Sequence, residues 1–206
     1  MNLAGMDFLS IINLGVSVLI ALVLHELAHG FVSYKLGDPT PKIQGRLTLN
    51  PLAHIDPVGF LCLFICGFGW AKPVCINYDN YKNKKFGTAL VSLAGPCMNF
   101  IIALFAAFGL KFCSVLGVPQ LINFFYILFS INVGLGVFNL IPFPPLDGSK
   151  ILASVLPNKY YDTWMYLERY GFIILMVLLF FNILTPILSI GTGLISNLIF
   201  GIVGIG

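Results

Sequence analysis

Long apolar runs separated by short polar stretches set the pattern of this 206-residue chain. The first run, from about Phe8 to Leu36, predicts one helix. At 1.5 Å per residue it outruns the ~30 Å hydrocarbon core of a bilayer, so its end emerges into water. Gly37-Asp38-Pro39 stops it. From Pro41 to Asn77 the pattern changes. Gln44 to Asn50 alternates polar and apolar, which predicts a strand, and Asn50-Pro51 ends it. Val58 to Phe68 is apolar but too short and glycine-rich to cross, so it reads as a re-entrant or interfacial loop. Trp70 to Asn77 reads as a second strand, and Tyr78 to Lys85 is polar and basic. Phe86 to Phe112 is a second crossing, kinked at Gly95-Pro96, and Val118 to Leu140 a third, ended by Pro142. A connection of mixed charge, Pro142 to Tyr166, precedes a fourth apolar run, Tyr170 to Leu184. Thr185-Pro186 separates it from a short, Gly-rich fifth, Ile187 to Ile205. There is no internal repeat.

Composition agrees with a membrane location. The chain is 58% hydrophobic and 9% charged, with mean hydropathy +0.95, where a soluble domain carries about a quarter charged residues. The net charge of +3 forms no basic stripe, which argues against a nucleic-acid partner. It informs orientation instead. Lys35, Lys42, Arg46, Lys72, Lys82, Lys84 and Lys85 lie between the first two crossings, and Lys150, Lys159 and Arg169 after the third. Only Lys111 lies between the second and third, so positive charge predicts a multi-pass cell-membrane protein with its N-terminus outside. The first run has no basic residue before it, so it does not read as a cleaved signal peptide. The five cysteines (Cys62, Cys66, Cys75, Cys97, Cys113) include no CxxC pair and read as buried small hydrophobes.

The chemistry enters with His25-Glu26-Leu27-Ala28-His29, inside the first run. On a helix, histidines four residues apart share one face and can bind one metal ion, with Glu26 placed to activate water. Ionisable residues at membrane depth are costly and point to function. The charge asymmetry puts this group in the cytoplasmic half. A catalytic zinc needs a third protein ligand and an open position. Asp147, in Asn139-Leu140-Ile141-Pro142-Phe143-Pro144-Pro145-Leu146-Asp147-Gly148, is the best candidate, because the prolines deny this segment a regular helix. Asp-Gly is equally a common turn dipeptide, so a ligand and a simple turn remain open readings.

HExxH in a transmembrane helix, followed by Asn-x-x-Pro-x-x-Pro-Leu-Asp-Gly, resembles the site-2 protease family of intramembrane zinc metalloproteases, peptidase family M50. Ser92-Leu93-Ala94-Gly95-Pro96-Cys97-Met98-Asn99 is similar to that family's Gly-Pro-x-x-Asn segment, and Asn50 to Pro57 to its loop after HExxH. The resemblance covers about residues 11 to 150. It implies one Zn2+ on His25, His29 and Asp147, with Glu26 as general base and Asn139 assisting. Asn99 and His54 are further polar candidates for the oxyanion. It also implies a single-span membrane protein as substrate, such as an anti-sigma factor or another membrane-anchored regulator, cut within or near its transmembrane segment. The two proposed strands could hold that substrate extended by β-augmentation. No PDZ-like or CBS-like domain is visible, so a minimal form is expected.

The expected fold is therefore an all-α polytopic membrane protein of about five to six hydrophobic segments. It has a three-helix catalytic core and a small membrane-associated β-hairpin and re-entrant loop. Residues 1–206 form a single membrane-embedded domain, with the core at about 8–150 and accessory spans at about 166–206. Two other functions fit an intramembrane metal site: a metal-ion transporter and a catalytically inactive zinc-binding protein. A ligand cluster confined to one half of the membrane argues against transport, and the intact His, Glu, His and Asp set argues against an inactive protein.

Overall fold

The structure is a computed structural model that describes residues 7–66, 72–157 and 161–205. It is nearly all helical. Helix α1 spans Phe8–Lys35, α2 Thr40–Ile43, α3 Pro57–Cys66, α4 Lys84–Leu116 and α5 Pro119–Asn139. After a proline loop come α6 Asp147–Val155, α7 Tyr161–Phe180 and α8 Thr185–Val203. Helix starts and stops follow local chemistry. Asn83 accepts from the Phe86 amide at the start of α4, and Gly117 ends that helix in the left-handed conformation. Pro119 and Pro186 occupy first-turn positions, where no backbone N–H is needed.

Among the described residues, four helices are long and apolar enough to cross a membrane: α1, α4, α5 from Leu121, and α8. The fourth expected crossing, 170–184, covers the second half of α7 and the turn before α8. Asn182 adopts a positive φ in that turn, which closes on Leu178 and Leu179. The short fifth run is a nineteen-residue helix of spanning length.

α4 is the centre of the bundle and packs against α1, α5, α6 and α8. Its small residues Ala103, Ala106 and Ala107 meet Leu128, Phe129 and Val133 of α5 and Ile199 and Val203 of α8, a close approach typical of helices in lipid. Outward, Ile101, Phe105, Phe108 and Phe112 form an exposed apolar face suited to acyl chains. Cys97 lies exposed on α4 and Cys75 is exposed too, contrary to the expectation of burial; only Cys113 is buried among the described thiols. A lipid-facing helix surface accepts a thiol as readily as a core does.

The two expected strands do not form among the described residues. Residues 44–50 are turn and bend, and 72–77 has no regular structure; Ile55 is the one bridge residue among the described residues. Side chains tie residues 46–50 to the turn that follows them. Arg46 donates to the Ala53 carbonyl, the His54 Nε2 bonds the Thr48 carbonyl at 2.8 Å, and Asn50 accepts from the Leu52 amide at 3.1 Å. The expected re-entrant loop, 58–68, is a ten-residue helix as far as Cys66, capped by Asp56 through the Val58 and Gly59 amides at 2.9 Å. Residues 67–71, which end that loop and begin the second expected strand, lie outside the described residues, as does Lys159.

Asp38 ties the end of α1 to the segment after 72. It is fully buried and accepts from Ser33 Oγ (2.9 Å), Thr40 Oγ1 (2.6 Å), the Asn77 amide (2.9 Å) and Asn80 Nδ2 (2.9 Å). Burial pushes this carboxyl up, but the Thr40, Asn77 and Asn80 donors outweigh burial and hold it at about 2. Ser33 spends its one proton on Asp38, so the Tyr81 hydroxyl donates to Ser33 at 2.7 Å. Burial pushes Tyr81 up to about 12, which keeps that proton in place.

Candidate metal centre

His25 and His29 project from one face of α1 into the bundle, both buried. Each ring has its Nδ1 on an oxygen. His25 Nδ1 meets Asn99 Oδ1 at 2.6 Å, and His29 Nδ1 meets the Val91 carbonyl at 2.7 Å. A carbonyl only accepts, so both Nδ1 atoms carry the proton and both Nε2 atoms present lone pairs. Those two Nε2 atoms lie 3.0 Å apart. Asp147 Oδ2 completes the group, 3.2 Å from His25 Nε2 and 3.1 Å from His29 Nε2. The three residues are the metal-ligand cluster found among the described residues.

Three lone-pair atoms packed this closely, with no proton among them, repel unless a cation lies between. The donors of a tetrahedral ion bound at ~2.0–2.1 Å are about 3.3 Å apart, close to the spacing here. The set is two nitrogens and one oxygen without sulfur, the composition of catalytic zinc sites that keep one position open. The arrangement fits zinc.

Asp147 gets there because of Pro142, Pro144 and Pro145. They keep 140–146 out of a helix, so the chain reverses after α5 and brings the first turn of α6 against α1 and α4. Gly148 is obligatory in that reversal: a Cβ there would overlap the Leu140 and Ile141 carbonyls. Gly95 has a related role, since a Cβ on it would overlap both imidazoles. The Gly95-Pro96 pair was expected to mark a kink. Helix α4 continues through it with Pro96 inside, and Gly95 makes room for the histidines.

A cavity of about 150 Å3 adjoins the cluster, room for a few waters at ~30 Å3 each. His25, Glu26, His29, Asn139 and Asp147 line it, with Val74, Tyr78, Ser92 and Lys150. Glu26 Oε2 accepts from the Val74 amide at 2.9 Å. Asn139 Nδ2 donates to the Leu135 carbonyl at 3.0 Å and keeps a second N–H. The other two candidates lie elsewhere. Asn99 is fully buried behind His25 and does not line the cavity, and His54 is buried in the 48–55 loop on Thr48. Three lining groups escaped the sequence reading. Lys150 stands one helical turn beyond Asp147, a spacing that could have flagged it. Tyr78 and Ser92 gave no such signal; the Ser92 hydroxyl is buried without a partner among the described residues.

Comparison with known proteins agrees with this chemistry. The model of peptidase family M50 matches residues 114–180, the part that includes Asp147. "Putative zinc metalloprotease YwhC" of Bacillus subtilis is 39% identical over 194 residues, covering 89% of this chain and 89% of that protein. "Putative zinc metalloprotease Rip2" of Mycolicibacterium smegmatis is 30% identical over 83% of this chain and 66% of its own length. A zinc metalloprotease of Methanocaldococcus jannaschii is 32% identical over 68% of this chain but only 33% of its own length. No solved structure gives a significant match. The chain belongs to peptidase family M50, the site-2 protease family, and is a multi-pass membrane zinc metalloprotease.

Proposed function

We propose that this protein is an intramembrane endopeptidase that cuts single-span membrane proteins within or near their transmembrane segments. His25, His29 and Asp147 hold the zinc, and Glu26 is the general base. The observation that carries this reading is the convergence of His25 Nε2, His29 Nε2 and Asp147 Oδ2 within 3.2 Å, beside a cavity and on a helix of spanning length.

When bound, zinc polarises the scissile carbonyl and makes water acidic near neutral pH. The chain supplies the rest. The Glu26 carboxylate takes the proton of the attacking water and delivers it to the leaving amine nitrogen. The Val74 amide holds one oxygen of that carboxylate, which fixes its direction. The free N–H of Asn139 is available to the developing oxyanion, and Lys150 adds positive charge to the same wall. A transmembrane helix hides its peptide bonds, so the substrate must be held extended; the irregular backbone of 72–77 beside Glu26 is the surface that favours this. The excess of Lys and Arg on the segments flanking the site supports an active site in the cytoplasmic half and an N-terminus outside. A membrane-anchored regulator such as an anti-sigma factor is the substrate class the family suggests.

The test uses wild type and Glu26→Gln purified in detergent with a model single-span substrate. About one zinc per chain is expected in both, with cleavage by wild type alone. Equal cleavage by the two proteins overturns the mechanism.

A further inference from the structure

We propose that Asn132 is a positioning residue for the metal centre: acting through Asn99, it fixes which nitrogen of His25 carries the proton. The inference rests on His25 as a zinc ligand and assigns a role to a residue two contacts away from it.

The observation is a chain of hydrogen bonds across three helices. On α5, Asn132 Nδ2 donates to the Leu128 carbonyl at 2.8 Å. On α4, Asn99 Nδ2 donates to Asn132 Oδ1 at 2.9 Å and, more weakly, to the Ala21 carbonyl of α1 at 3.4 Å. Asn99 Oδ1 then faces His25 Nδ1 at 2.6 Å. Asn99 and Asn132 are fully buried. Two amides at this depth are costly unless paired, and nearly all their capacity is used here.

The chain has a direction. An amide can turn over, exchanging donor for acceptor, so Asn99 alone could face His25 with either its oxygen or its NH2. The Leu128 carbonyl removes that freedom because it only accepts. It requires the Asn132 NH2, which leaves the Asn132 oxygen pointing at Asn99. That oxygen requires the Asn99 NH2, which leaves the Asn99 oxygen pointing at His25. His25 must then hold its proton on Nδ1 and offer a lone pair at Nε2, the atom that meets His29 and Asp147. A backbone carbonyl on α5 thus sets the tautomer of a ligand on α1. The Ala21 carbonyl favours the same orientation of Asn99 but at the longer distance.

The experiment compares zinc affinity, by chelator competition in detergent, for wild type, Asn132→Leu, Asn99→Asp and Asn99→Asp/Asn132→Leu. The unfolding temperature of each zinc-free protein is measured alongside. Loss of an outer partner of a ligating histidine typically weakens metal binding about 10–100-fold, and Asn132→Leu is expected in that range, with the zinc-free protein still folded at the temperature of the zinc titration. A carboxylate at 99 has no donor to turn toward His25, so the relay predicts that Asn132→Leu no longer weakens zinc binding in the Asn99→Asp background. Equal zinc affinity of wild type and Asn132→Leu overturns the relay while leaving the metal site intact. So does a double variant weakened relative to Asn99→Asp by as much as Asn132→Leu is relative to wild type, since that shows packing and not polarity at work. Asn132→Ala replaces Asn132→Leu if the leucine does not insert. Wild type without zinc overturns the ligand assignment itself.

Discussion

Glu26 accepts a hydrogen bond from the backbone amide of Val74 at 2.9 Å. The general base and the irregular 72–77 segment are thereby one unit, although 48 residues separate them in sequence. Pro73 has no amide to offer, so the donor at 74 is a specific one. Val74→Pro removes it. A hydrogen bond to a charged group is worth about 1.5–3 kcal/mol, so the initial cleavage rate should fall roughly 10-fold or more while bound zinc stays at the wild-type level. An unchanged rate would show that the amide is not part of the catalytic geometry.

Gly95→Ala tests the packing of the histidines. The added methyl would sit 2.6 Å from His25 Nε2 and closer still to His29 Nε2. Alanine favours a helix over glycine by about 1 kcal/mol, so α4 should persist and the imidazoles should move. The expected result is loss of zinc with helical circular dichroism retained; a variant that holds zinc normally contradicts the close approach.

Lys150 lines the cavity one helical turn from Asp147. Lys150→Met keeps the length of the side chain and removes its charge. Zinc content should match wild type and turnover should drop about 10-fold or more, the scale of a lost electrostatic partner in a reaction that develops negative charge. Full turnover would return Lys150 to a passive wall position.

Much of this was legible in the sequence. The apolar runs gave α1, α4 and α5 within a few residues, because each is bounded by Gly, Pro or an Asn cap. The convergence of His25, His29 and Asp147 was legible because HExxH and the proline-broken Asp147 segment have few other uses at membrane depth. The strands were not. Residues 44–50 alternate as a strand does, but Arg46, His54 and Asn50 fold that stretch onto the turn after it, and alternation cannot reveal such a partner. The sequence makes Asn99 one candidate for the oxyanion, because a lone polar residue in an apolar run carries no direction; the fold turns it towards the back of His25. Asp38 reads as a helix stop, and its donors at Asn77 and Asn80 come from a segment that sequence does not bring to it.

Asp38 gives a pH prediction. Its carboxyl is lowered from 3.8 to about 2, so its ionised form stabilises the fold. That contribution is complete above the unfolded value near pH 4 and is lost as pH falls through about 2. At about 1.4 kcal/mol per unit, it amounts to about 2 kcal/mol. Asp38→Asn, which mimics the protonated group, should unfold at a lower temperature than wild type at pH 6. The gap should narrow as pH approaches 2. A gap that is constant with pH contradicts the role given to these hydrogen bonds.

The central claim is that one zinc sits on His25, His29 and Asp147. X-ray absorption at the zinc edge of the purified protein tests it most directly. The account predicts a first shell of nitrogen and oxygen at about 2.0–2.2 Å with the multiple scattering of two imidazoles, and loss of zinc in Asp147→Ala. A sulfur shell at about 2.3 Å, or undiminished zinc in Asp147→Ala, would contradict it.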